Sequence, residues 1–229
     1  MDLKSTIIDQ IHIFDHTKFI ENEESINQRG ILIATHKSKD LICYLVKKEE
    51  DFNEHNKIMF IDKCEKSYEL IHPSILNLSG FSIQKPYLYY KYVENHPKKD
   101  TYKPEEILEI IIGIASGLSY LLSNGFYYSN FSINSIIFDE NSKPKLFDYI
   151  EFENSKKMNE DELIIKYVEV ITTIIPEKDL QFNHHIVSLI KSVNQKENLP
   201  TFEEFVQSFN SSDCEEKVTI FNRIQLKVF

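Results

Sequence analysis

The residues best placed to do chemistry fall in one stretch, Asn124 to Ile150 (NGFYYSNFSINSIIFDENSKPKLFDYI). An apolar run, Ile136-Ile137-Phe138, is followed by the polar turn Asp139 to Pro144. A second run, Lys145-Leu146-Phe147, then ends in an acid, Asp148. Two short strands joined by such a turn form a hairpin. That hairpin can hold a loop residue near Asn130 and the strand-end Asp148, 18 positions later, on either side of one small site. Of this pair only Asp148 can ionise. Asn130 is a neutral amide and cannot act as a general base. An aspartate beside a turn also serves as a solvated or backbone-capping residue, and that reading stands beside the chemical one.

Other reactive side chains are less suggestive. His184 and His185 are adjacent, so on a helix they should diverge, and no third ligand is evident for a metal. His72, in His72-Pro73, reads as a turn or packing histidine. Cys43, Cys64 and Cys214 are widely spaced, odd in number and without metal-ligand spacing. They read as structural thiols in a reducing compartment, so a cytoplasmic location is expected.

The elements that must position the site follow from periodicity. Ile11 to Phe14 is strand-like. Ile26 to Thr35 and Leu41 to Lys47 are β-type runs joined by a turn at residues 36–40. Residues 52–71 carry a helical pattern. Tyr87 to Asn95 contains four tyrosines in six residues, which suits a strand. Pro104 begins an amphipathic helix that runs to about Ser123. Proline and two acids occupy its first turn, and Gly125 follows its end. Further helices are expected at 161–175, at 184–193 and from Pro200 onward. Residues 211–229 could be an extra strand pair or the start of an extension.

In this order the elements resemble the eukaryotic protein kinase family, of the tyrosine-kinase-like type. The loop there runs H-R-D-L-x-x-x-N, followed by two strands and D-F-G. Here it reads Tyr128-Ser129-Asn130-Phe131-Ser132-Ile133-Asn134-Ser135, then Asp148-Tyr149-Ile150. His72-Pro73-Ser74-Ile75-Leu76-Asn77-Leu78-Ser79-Gly80-Phe81 resembles H-P-x-I-x-x-L-x-G-F. Pro200-Thr201-Phe202-Glu203-Glu204 resembles a segment of the C-terminal helix. The resemblance implies an α+β, bilobal protein-kinase-like fold with a small β-rich N-lobe and a helical C-lobe. It implies one domain over 1–229: N-lobe 12–94, C-lobe 95–210 and a C-terminal extension 211–229.

It also implies roles, most of them vacated. The catalytic aspartate is replaced by Asn130, the second metal ligand by Ser135 and the loop lysine by Ser132. Asp148 keeps the metal-binding acid. Lys47, 15 residues after Leu32, falls on the phosphate-contacting lysine. Of the three phosphate-loop glycines only Gly30 remains; the others are Ser25 and Asn27. The regulatory glutamate falls on Lys63, with Asp62 one residue off and Glu65 two further on. Tyr90 is the gatekeeper, and Lys91 to Val93 is the hinge that would offer backbone groups to adenine. Asp161 matches the acid that ties its helix to the catalytic loop. The activation segment is shortened to about residues 151–160 and lacks A-P-E, and Leu199 replaces the arginine that would pair with that glutamate.

The expectation is therefore a pseudokinase, a catalytically inactive domain that signals or scaffolds through an unidentified protein partner. The alternative is an ATP-binding kinase with weak residual phosphoryl transfer. No cofactor is required; ATP and Mg2+ are the ligands the resemblance allows, at Gly30, Lys47, Tyr90, Lys91, Val93 and Asp148, with the metal at Asp148. Composition adds limits. At 229 residues the chain can bury a substantial core, and 41% hydrophobic and 27% charged residues are ordinary for a globular protein. A net charge of −10 argues against nucleic acid and anionic membranes as partners. Only two of 26 basic residues are arginine, Arg29 and Arg223, so no arginine cluster can read a phosphorylated partner. No apolar run is expected to reach transmembrane length, and no membrane insertion is expected.

Overall fold

The computed structural model describes residues 13–15, 18–22, 31–36, 43–48, 54–83, 87–91, 101–150, 158–181, 183–195 and 199–209. Helices and small antiparallel sheets are both present, an α+β chain. It divides into two compact units, Met1–Ile71 with Leu76–Val93, and His72–Ile75 with Glu94–Phe229.

The first unit is built on a five-stranded sheet of order β1-β2-β3-β5-β4: β1 Phe19–Asn22, β2 Ile31–His36, β3 Cys43–Lys48, β4 Leu78–Ser82 and β5 Tyr87–Lys91. All neighbouring pairs are antiparallel. The β-branched and aromatic residues of ILIATH, CYLVKK and YLYYK favour this pleated surface. Between β3 and β4 lies α1, Glu54–Tyr68. Phe60, Cys64 and Ser67 are the buried positions among its described side chains, and Phe60 meets Phe81 of β4 edge-on at 5.6 Å. The opposite sheet face is closed by Ala34, Tyr87 and Tyr89, with Phe14 edge-on to Tyr89 at 5.2 Å. A register shift between Leu78 and Gly80 turns the Ser79 carbonyl to the Tyr68 hydroxyl of α1.

Of the strand-like run Ile11 to Phe14, Ile11 and His12 lie outside the described residues; Ile13 makes a one-residue parallel bridge to Phe81, and the first strand among the described residues is Phe19–Asn22. Of the β-type run expected over Ile26 to Thr35, residues 31–35 fall in β2; residues 25–30, which include Ser25, Asn27 and Gly30, lie outside the described residues.

The second unit is organised by α2, Pro104–Ser123, which buries ten residues, among them Ile107, Ile110, Ile111, Ile114, Leu118 and Leu121. By length and composition α2 could cross a membrane, contrary to the expectation that no run would; but 56% of that window is buried within the protein, as a core helix would be. Around it stand the hairpin β6 Ile136–Phe138 and β7 Pro144–Leu146, then α3 Glu160–Ile174, α4 Glu177–Leu180, α5 His184–Gln195 and α6 Phe202–Ser208. The Tyr167 hydroxyl of α3 donates to the Ile111 carbonyl at 3.0 Å, and its ring packs edge-on to Phe202 and Phe205 of α6. Asn159 and Thr201 accept the backbone N–H three residues on, and Glu162 and Glu204 reach back, capping α3 and α6.

Residues 72–75 belong to this unit although α1 and β4 flank them in sequence. Ser74 accepts the Leu146 N–H at 2.7 Å, Ile75 bridges Leu146 in parallel, and the Lys145 ammonium donates to the Pro73 carbonyl. The strip lies against a face of α2 kept bare by Gly113 and Gly117. A Cβ on Gly117 would stand 2.7 Å from Leu146 Cδ1 and 3.3 Å from Ser74 Cβ. His72 closes the strip: its ring stacks on Tyr120 at 5.1 Å, and Nδ1 accepts the Ser74 N–H.

Candidate functional site

The loop between α2 and β6 is laced to the end of β7 by main-chain and aromatic contacts. The Tyr128 hydroxyl donates to the Phe147 carbonyl at 3.0 Å, and the Phe147 N–H donates to the Ser135 carbonyl at 3.1 Å. Tyr128 packs edge-on to Phe131, and Phe126 does so to Tyr149. Met158, just before α3, donates its N–H to the Tyr128 carbonyl at 3.0 Å. Tyr128, Phe131, Phe147, Tyr149 and Ile150 are all buried. The apolar weight of the sequence here thus anchors the backbone on both sides of the two polar positions.

Asp148 is half-buried between these anchors, with one carboxylate oxygen shielded from solvent. Its φ is +61°, in the left-handed region. Only glycine enters that region freely, and aspartate is among the few others that tolerate it. The buried neighbours Phe147 and Tyr149 hold the backbone there, and backbone strain of this kind clusters at functional positions.

Asn130 is exposed, and no acid replaces it in the loop. Ser132 opens a 3-10 turn, Ile133–Ser135, by accepting the Asn134 N–H at 3.2 Å. Ser135 is buried, and its hydroxyl accepts the Ser132 N–H at 3.4 Å. The hydroxyl therefore serves the loop's own backbone. Asn134, one position off, is exposed.

In the first unit, Lys47 stands in β3 opposite Leu88 of β5 and Ile31 of β2. Tyr90 is buried, opposite Leu45 and Leu78. Lys91 ends β5; it pairs with Tyr44 of β3 and lies beyond the last β4 pairing, at Tyr90. Gly30 and Val93 lie outside the described residues. On α1, at about 100° per residue, Asp62 points away from the Phe60–Cys64–Ser67 face and pairs with Lys66 at 2.7 Å on the exposed side. Lys63 flanks the buried face and is itself half-buried. Of the three candidates for the regulatory acid's place, Lys63 lies closest in helical angle to the Phe60–Cys64–Ser67 face.

Several sequence expectations need correction. Asp161 does not tie α3 to the loop: it is exposed, and its side chain makes no hydrogen bond among the described residues. The Met158 main chain makes that tie instead. Its neighbour Glu160, which sequence reasoning missed, accepts the Phe202 N–H at 2.9 Å and so joins the starts of α3 and α6. His184 and His185 do not diverge; at the start of α5 their rings are 3.9 Å apart, and His185 Nδ1 is 3.1 Å from the Ser208 hydroxyl. Among the described residues no group of three His, Cys, Asp or Glu side chains could hold a metal ion. The Tyr128 hydroxyl tie was also missed. Its only sequence signal was a tyrosine two positions before Asn130, which reads equally as core.

His72 and Tyr167 of this unit have clearly shifted titrations. Burial, and secondarily the Lys145 charge, lower the His72 pKa to about 4. Burial raises the Tyr167 hydroxyl well above its ordinary value. Both are packing residues. No protein-family model matches the chain, and no curated protein matches it.

Proposed function

We propose that this protein is a pseudokinase of the tyrosine-kinase-like type, a bilobal protein-kinase-like domain that works by contact with a protein partner and not by phosphoryl transfer. The order of elements supports the fold: five antiparallel strands with one helix between β3 and β4, then a helical unit that carries a loop and hairpin ending in Asp148. The observation that carries the functional reading is the loop itself. Asn130, at the position of the base, is an exposed amide, and Ser135, at the second metal position, offers a neutral hydroxyl that accepts the Ser132 N–H at 3.4 Å. Loss of a positioned base alone typically costs about 10²–10⁴ in rate. The half-buried Lys63, where an acid would anchor Lys47, points the same way. A reducing, cytoplasmic setting suits the buried Cys64 thiol.

The left-handed backbone of Asp148 favours a second reading, in which the chain still binds nucleotide without turnover. Asp148 would hold Mg2+ together with the nucleotide's own phosphates, since Mg2+ commonly needs only one or two protein carboxylates. Lys47 and Gly30 would face phosphate, Tyr90 would narrow the rear of the adenine site, and the backbone from Lys91 to Val93 would meet the base.

Thermal melts with millimolar ATP, with and without Mg2+, on the wild type, Lys47→Ala and Asp148→Ala separate these readings. A ligand at 100 times its Kd adds about 2.7 kcal/mol. A Mg2+-dependent shift lost in both variants supports nucleotide binding, and no shift removes it. A parallel phosphate-transfer assay tests inactivity. Transfer above background that Asp148→Ala abolishes would overturn the pseudokinase reading.

A further inference from the structure

The C-terminal end of α2 carries Asn124-Gly125, the one Asn-Gly pair in the sequence. In such a pair the glycine nitrogen can attack the asparagine side-chain carbonyl, because glycine has no Cβ to hinder the approach. Asn124 and Gly125 are both exposed. A Cβ on Gly125 would meet no heavy atom within 4 Å, so a succinimide ring has room to form there.

The same two residues cap α2. Gly125, at φ +78°, donates its N–H to the Leu122 carbonyl at 3.0 Å, and Phe126 donates to the Leu121 carbonyl at 2.9 Å. This is the Schellman pattern of a helix end. The Asn124 side-chain nitrogen donates to the Tyr120 carbonyl at 2.8 Å. While the cap is closed, helix carbonyls hold both the attacking and the departing nitrogen. Phe126 then anchors the following loop: it is buried and edge-on at 5.6 Å to Tyr149, the neighbour of Asp148.

We propose that Asn124 is a site of spontaneous conversion to isoaspartate and aspartate, gated by opening of the α2 cap, and that the conversion loosens the loop after α2. In the open cap, hydroxide takes the Gly125 amide proton. The nitrogen bonds to Asn124 Cγ and the Cγ–Nδ2 bond breaks. Nδ2 leaves as ammonia, its third proton supplied by water. Water then opens the ring. Attack at Cγ gives aspartate, and attack at the main-chain carbonyl gives isoaspartate. No oxidant or reductant enters.

Isoaspartate routes the main chain through Cβ and Cγ, and the added carbon displaces the next N–H groups by about 1.5 Å. The Leu121 and Leu122 carbonyls then lose their partners. Either product also places a carboxylate at the C-terminal end of α2, where the helix dipole opposes it. Phe126 sits directly beyond this break, so its seat against Tyr149 is what gives way.

Ageing the full chain in mildly alkaline buffer tests this, with peptide mass spectrometry that separates aspartate from isoaspartate. Conversion at Asn124 is expected in the native chain, about tenfold slower than in the chain unfolded in guanidinium, since it draws on the opened population. Deuterium uptake across residues 118–131 and 145–150 should rise in proportion to the converted fraction. It should stay at the fresh level in aged Asn124→Gln, whose extra methylene slows ring closure. A native chain that converts as fast as the unfolded one, or not at all, would overturn the proposal. So would unchanged uptake in the converted fraction, or an equal rise in aged Asn124→Gln.

Discussion

The chemistry of this protein turns on a few side chains whose neighbours set their behaviour. Asp148 is the clearest. At φ +61° any residue with a Cβ is strained, and glycine is not. Asp148→Gly should therefore be more stable than Asp148→Ala by about 1 kcal/mol in urea denaturation. Equal stabilities would mean that the backbone relaxes out of the left-handed region. His72 gives a pH prediction. Its folded pKa, about 4, lies below the ordinary 6.5, so the unfolded chain binds the proton more readily. Its contribution is fully present above pH 6.5, is lost as pH falls between 6.5 and 4, and levels off below that. The total is on the order of 3 kcal/mol. His72→Gln should flatten the stability profile in that window, where the wild type falls steeply. A third test is Tyr128→Phe, which removes the donor to the buried Phe147 carbonyl. It should lower stability by about 1–2 kcal/mol with the fold retained.

At the scale of elements the decisive contact is the bare face of α2. Gly117→Ala gains up to about 1 kcal/mol of helix propensity. It also drives a methyl to 2.7 Å from Leu146 Cδ1, and Leu146 is fully buried, so overpacking of about 1–3 kcal/mol is expected to prevail. Gly113→Ala meets its nearest atoms, Pro144 Cγ and Ser74 Oγ, at 3.1 and 3.2 Å, and should be milder. Thermal melts should rank wild type and Gly113→Ala above Gly117→Ala. These glycines also show what was legible in the sequence. The α2 stripe, its proline start and the glycine after its end gave bounds that match Pro104–Ser123, because caps and periodicity are local. The α3 and α6 starts were nearly as clear. The parallel bridges Ile13 to Phe81 and Ile75 to Leu146 join residues far apart in sequence and leave no local pattern. The same holds for the left-handed Asp148, whose conformation is imposed by its neighbours and not by its own preference. Asp161 was misassigned because an acid in a first helical turn is favoured by the helix itself, whatever it faces.

At the scale of the whole molecule, one chain passes between the two units three times, at 71/72, 75/76 and 93/94. The middle visit is structural. Residues 72–75 are hydrogen-bonded and packed into the second unit, while α1 and β4 on either side belong to the first. Extracting that strip would cost the second unit the Leu146 N–H bond, the Ile75 bridge and the His72–Tyr120 stack together. Unfolding of the first unit that spreads into its two flanks therefore pulls on the second unit's core, and the two should unfold as one cooperative system. Ile75→Ala tests this. Ile75 is 4% exposed, and its truncation should cost about 2–4 kcal/mol. Urea titrations read by deuterium uptake should give one midpoint for peptides from α1 and β5 and for peptides from α2 and α3, and the substitution should move all of them equally. If only the α2 and α3 peptides shift, the strip is a passenger in the second unit and the two units are independent.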